Sequence, residues 1–122
     1  MKGQKLFVRK ISVDDGNAII HFNEMHQLRP SAHLDSYLAK IVGEIVAVLS
    51  SERSQETLEL HDIFVVPSLR GLHIGRKFLK EALRDSGLHE MTAPASHSLA
   101  GYLEKIGFIR EGYELRMQLE KR

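Results

Sequence analysis

Two groups of residues in this chain have types and spacings that could do chemistry. The first is the turn Arg70-Gly71-Leu72-His73-Ile74-Gly75, basic and glycine-bearing, set between an apolar run and an amphipathic one. A strand that turns directly into a helix aims several unpaired backbone N–H groups, and about half a positive charge, at whatever lies before the helix. A phosphate can sit there without a metal. An ordinary strand-to-helix connection is the plainer alternative, because a lone glycine-containing turn is weak evidence. The second group is Glu59 and His61, which lie two apart on the same run and so project from one face, with Asp62 expected on the other. An imidazole with an intrinsic pKa near neutrality suits proton transfer. The alternative is that the two merely face solvent or pair with each other.

The elements that must position these groups are legible in the hydrophobic pattern. Leu58, Leu60, Ile63, Phe64, Val65 and Val66 make a largely apolar strand, and Pro67 ends it because proline has no N–H to donate. Ile74, Phe78, Leu79, Ala82 and Leu83 then recur at helical spacing, with Gly87 as the stop. Upstream, Lys5 to Ile11 reads as a strand, and Ser12 with Asp14 and Asp15 starts a helix expected over Val13 to Leu28, closed by Pro30. Ser31, Ala32 and His33 form the link to strands Ser36 to Ile41 and Glu44 to Ser51, joined by a Val42-Gly43 hairpin turn, and Ser50 to Glu56 is expected as a loop. Downstream, Leu88 to Ala93 is a short strand ended by Pro94. A helix from Ser96 follows, with Leu99, Tyr102, Leu103 and Ile106 as its apolar stripe and Gly107 at its end. Two last strands start at Phe108 and Tyr113; in the second, Tyr113, Leu115, Met117 and Leu119 are expected to be the buried face.

Composition bounds what this arrangement can be. At 122 residues, with 43% apolar and 27% charged residues, the chain has the size and make-up of one globular domain. A formal net charge of +1 argues against a nucleic-acid binder that works by bulk electrostatics. The absence of cysteine excludes disulfides, thiolate metal sites and a cysteine acyl-enzyme. The first residues lack the apolar run of a signal peptide and no segment approaches spanning length, so a cytoplasmic location without membrane attachment is expected. His21 and His26 are five apart, and His33, His89 and His97 are isolated, so no metal site is expected.

The stretch Val65-Val66-Pro67 followed by Arg70, His73 and Gly75 resembles the cofactor turn of the GNAT family of N-acetyltransferases. A second signature, Glu104-Lys105-Ile106-Gly107-Phe108, resembles the end of that family's last helix, and the order of elements agrees over nearly the whole chain. The resemblance implies an α/β (α+β) fold: a mixed, mostly antiparallel central sheet of about six or seven strands, flanked by about three helices, with one central strand pair splayed to admit a cofactor. It also implies acetyl-CoA as cosubstrate, held by Phe64, Val65, Val66, Arg70, Gly71, Leu72, His73, Ile74, Gly75 and Arg76. The backbone N–H of Val65 or a neighbour would polarise the thioester. His73 departs from the family glycine, and a positive φ there would cost about 1–2 kcal/mol.

On the same resemblance Glu59 or His61 would act as base, directly or through water, toward a primary amine on a small molecule or an exposed peptide. Neutralising a lysine-like amine of pKa about 10.4 at pH 7 costs about 4.6 kcal/mol, so a positioned base is valuable. The family's general-acid tyrosine position is held by Leu103, with Tyr102, the candidate to protonate the departing thiolate or else a packing residue of the apolar stripe, one residue earlier and about 100° round the helix; its frequent asparagine is Ser96 here, expected among the cofactor-binding residues. Only one helix is expected between the first two strands where the family often has two, leaving an acceptor pocket that is open or completed by a partner subunit. The alternating last strand is open to edge pairing with a second copy. The reading from another class is a coenzyme A-binding regulatory module with little turnover.

Overall fold

The structure, a computed structural model, describes residues 5–29 and 35–119. Seven strands, β1 (Phe7–Lys10), β2 (Tyr37–Ile41), β3 (Glu44–Ser54), β4 (Thr57–Val65), β5 (Glu90–Pro94), β6 (Ile109–Glu111) and β7 (Glu114–Gln118), form one sheet in the order β1-β2-β3-β4-β5-β7-β6. All neighbours are antiparallel except β4 and β5, which run parallel because a helix connects them. The helices are α1 (Gly16–Met25), α2 (Leu72–Ser86) and α3 (Ala100–Lys105).

The local causes are mostly those expected. Val42 (φ 50°) and Gly43 (φ 79°) make the two-residue β2–β3 turn, both in the left-handed region that such hairpins need. Phe78, Leu79, Ala82 and Leu83 of α2 are fully buried against the sheet, and Gly87 (φ 80°) ends that helix in the left-handed conformation open to glycine. At the other end of the chain, Asp15 accepts two hydrogen bonds of 2.6 Å from the Arg9 guanidinium and one of 2.8 Å from the N–H of Ser12. These contacts hold its carboxyl well below the usual carboxylate range, with the Arg9 hydrogen bonds the main cause. They lock the turn Val13–Asp15 to β1.

Several expectations need correction. The turn Val13–Asp15 is 3-10 rather than α-helical, and α1 stops at Met25, because Gln27 (φ 56°) leaves the helical region. The proposed terminator Pro30 and the link Ser31 to His33 lie outside the described residues. Strand β3 runs on to Ser54 through the expected loop: Glu52, Arg53 and Ser54 pair with Glu59, Leu58 and Thr57, so only Gln55 and Glu56 turn. Polar residues can occupy a strand whose outer end is solvated on both faces, since the ladder still satisfies their backbone. Helix α3 begins at Ala100, not Ser96, behind two consecutive turns (His97 N–H to Pro94 C=O and Ala100 N–H to His97 C=O, each 3.0 Å). Tyr113 is 95% exposed, because it belongs to the turn before β7; Leu115 and Met117 are buried as expected. Strand β7 lies between β5 and β6, so the edges are β1 and β6 and the last strand offers none.

Candidate functional site

Strands β4 and β5 pair at only three positions, Thr57↔Glu90, Leu58↔Met91 and Glu59↔Thr92, after which β4 continues alone to Val65 on that side. Two local causes separate them. Pro94 has no N–H to extend the ladder. On the other flank, β4 carries a bulge: Ser51 faces Leu60 and Ser50 faces Asp62, leaving His61 as the extra residue. The buried positions record the slip, since Leu58 and Leu60 are followed by Ile63 and Val65. Glu59 and His61 therefore share a face with Phe64, whose ring meets Phe22 of α1 at 6.0 Å. The alternation that set Asp62 on the opposite face does not survive the bulge, and Asp62 lines the cavities on both sides of β4.

Beyond the split, side chains take up several of the edge groups of β4. The N–H of Val66 bonds the carbonyl of Val46 at 2.9 Å, and this phase turns both polar groups of Val65 away from β3 toward the gap. The Val65 carbonyl accepts from Nε of Arg70 at 2.9 Å, and the Arg70 guanidinium lies 5.2 Å from the centre of the Phe64 ring. The Ile63 N–H donates to Oδ1 of Asp62 at 2.9 Å. The His61 carbonyl accepts from His97 Nε2 at 2.7 Å. Among the described residues, the Val65 N–H has no partner.

That N–H borders a groove of about 660 Å³, walled by Asp62 to Val65, Arg70 and Gly71 on one side and by Leu99, Tyr102 and Lys105 of the α3 region on the other. Its outer end reaches the start of α2. There Gly71 is the N-cap, with φ −153° and no side-chain cap, so the first helical N–H groups are left for a ligand. His73 lies inside the helix and is exposed; it is not at a positive φ, and the strain expected for it does not arise. A second cavity of about 350 Å³ lies on the α1 side and shares Leu28, Asp62, Ile63 and Phe64 with the first.

Gly75 has a different neighbour from the one its place in the turn suggests. A Cβ on it would lie 1.9 Å from the hydroxyl of Tyr102, so the absence of a side chain lets the phenol lie against the first turns of α2. Tyr102 thus lines the groove, although its helical phase alone left this open. Burial raises its pKa, which the Arg70 charge partly offsets.

Other expected residues are placed away from the groove. Arg76 donates from Nε to the Ile106 carbonyl at 3.0 Å, tying α2 to the end of α3. Ser96 is exposed in the turn after β5, and Ile74 packs at the margin of the core. Glu59 is exposed, and His61 contacts Glu52 at 3.2 Å rather than Glu59; neither lines the groove. Leu28, Lys105 and above all His97 are additions to the expected site residues; His97 carries no local signal because its partner is 36 residues away. Among the described residues no cluster of three His, Asp or Glu side chains has a metal-holding arrangement, and no helix is long and apolar enough to cross a membrane.

The sequence pattern of an acetyltransferase (GNAT) domain matches residues 32–110. The chain belongs to the GNAT family. Its mixed seven-stranded sheet and three helices are also those of solved GNAT structures. The ribosomal-protein-S18-alanine N-acetyltransferase from Escherichia coli superposes with a TM-score of 0.63 at 13% identity, over 97% of this chain and 96% of that one. The PaiA N-acetyltransferase from Thermoplasma acidophilum, in complex with coenzyme A, gives 0.61 at 14% identity, over 94% and 99%. A GNAT acetyltransferase from Brucella melitensis, in complex with acetyl-CoA, gives 0.57 at 16% identity, over 96% and 90%. At these identities the likeness is one of fold. No curated protein sequence matches this GNAT chain.

Proposed function

We propose that this GNAT protein transfers the acetyl group of acetyl-CoA to a primary amine, on a small molecule or an exposed peptide, by direct attack. One observation carries the proposal: β4 parts from β5 and leaves the Val65 N–H facing a groove of about 660 Å³ that leads to the uncapped start of α2. The pyrophosphate would sit at that helix start, near Arg70 and Lys105, and the pantetheine arm would lie along the open edge. The Val65 N–H would hold the thioester oxygen as the amine nitrogen attacks the carbonyl carbon and the C–S bond breaks.

The amine proton would pass to His61 or Glu59 through water, or to Asp62, which borders both cavities. The Tyr102 phenol, whose high ordinary pKa burial raises further, is protonated at neutral pH and would give its proton to the departing thiolate. The two neighbours solved with coenzyme A and acetyl-CoA support the choice of cosubstrate. The single sheet that joins all seven described strands supports one domain.

A coenzyme A-binding module with little turnover is favoured by one specific observation, the position of Glu59 and His61 outside the groove. Calorimetry with acetyl-CoA and with free coenzyme A, followed by thioester consumption with a panel of amines, separates the two. Saturable binding with steady consumption supports the enzyme, and binding with none the module. Absence of binding at millimolar cosubstrate would reject both.

A further inference from the structure

Where β4 and β5 part, the gap between them is bridged by a side chain. His97 Nε2 lies 2.7 Å from the His61 carbonyl, and its Nδ1 lies 2.9 Å from the Leu99 N–H. A carbonyl can only accept and an N–H can only donate, so the ring is the neutral tautomer with its proton on Nε2. The backbone of His97 is held as well, its N–H by Pro94 and its carbonyl by Ala100, each at 3.0 Å. This loop therefore supplies a side-chain donor to an edge carbonyl of β4 where the β4–β5 ladder has stopped short of Pro94.

The position of this bridge matters. The groove is bordered from Gly71 back to Asp62 on one wall and from Lys105 back to Leu99 on the other; neither His61 nor His97 lines it, so the bridge stands just beyond its inner end. With phosphates at the α2 end, the acyl tail of a bound thioester points toward this bridge. From the Val65 N–H to the His61 carbonyl is three residues of strand, roughly 10 Å.

We infer that His97 closes the inner end of the cleft and so sets the longest acyl chain it accepts, as a specificity-determining residue for short acyl groups. This rests on the acyl-CoA function proposed above. The test compares binding of acetyl-CoA, butyryl-CoA and octanoyl-CoA to the unaltered protein, His97→Ala and His97→Gln. The unaltered protein should bind acetyl-CoA at least about tenfold more tightly than octanoyl-CoA. His97→Ala should abolish most of that ratio by gaining octanoyl affinity, and His97→Gln, whose amide N–H reaches the same carbonyl, should restore it. An unchanged ratio in His97→Ala, with acetyl-CoA still bound, overturns the role of His97 and leaves the acetyltransferase proposal standing. Failure of the unaltered protein to bind any of the thioesters removes both. Nitrogen-15 spectra of the ring test the bridge without cosubstrate and whether or not the alanine variant folds: Nε2–H is expected, and an Nδ1–H or averaged signal overturns the inference.

Discussion

The two halves of β4 are one strand with opposite fates. From Thr57 to Glu59 it is paired on both flanks, and Leu58 and Leu60 beside it are 0% and 1% exposed. From His61 to Val65 it keeps β3 on one flank and loses β5 on the other. In the first half the neighbouring strand satisfies the backbone. In the second, three side chains take over: His97 at the His61 carbonyl, Asp62 at the Ile63 N–H and Arg70 at the Val65 carbonyl. The comparison teaches that an open edge inside a sheet survives because side chains, two from loops and one from the strand itself, satisfy its polar groups. The Val65 N–H is the donor they leave over.

The largest expected effect is in the closed half. Leu58→Ala removes a fully buried side chain and should cost about 2–5 kcal/mol of unfolding free energy in urea titration. Acetyl-CoA affinity of the folded protein should change little, and a large change would mean that the two halves are not separable. Gly75→Val attacks the open half. The new side chain must expel the Tyr102 hydroxyl, so about 1–3 kcal/mol of stability should be lost, together with cosubstrate affinity. Adding Tyr102→Ala should recover part of the stability, and a purely additive double mutant would show that the contact is not the cause.

Asp15 lies outside both halves and serves as a reference. Its folded pKa is depressed by Arg9, so its contribution is fully present above the unfolded value of about 3.9 and is lost as pH falls below it toward the folded value. Asp15→Asn should lower stability at pH 7 by about 1–2 kcal/mol and flatten the thermal melting profile between about pH 5 and pH 2, without altering acetyl-CoA binding. The smallest effect is expected at the β2–β3 turn. Val42 is β-branched at φ 50°, and Val42→Asn should raise stability by about 0.5–1 kcal/mol in the same titration.

The architecture was legible wherever the cause was local. Pro67, Gly87, Pro94 and the Val42-Gly43 pair punctuate the chain by backbone chemistry alone, and the turn Arg70 to Gly75 does open a helix with an uncapped start. Side-chain placement around β4 was not legible, because it depends on the partner strand. Simple alternation gives Asp62 one face, but the extra residue at His61 exists only relative to Ser50 and Ser51.

By itself, then, the sequence determined the order of elements, the turn that presents a helix start to an anion, and the membership of the chain in the GNAT family. Those features depend on periodicity, proline and glycine, which act within a few residues. Tertiary structure alone decided that Tyr102 lies against Gly75, that Arg76 ties α2 to α3, and that His97 spans the gap to His61. Each is a contact between segments 27 or more positions apart in the chain, where no local rule applies and only the packed sheet and helices bring the partners together.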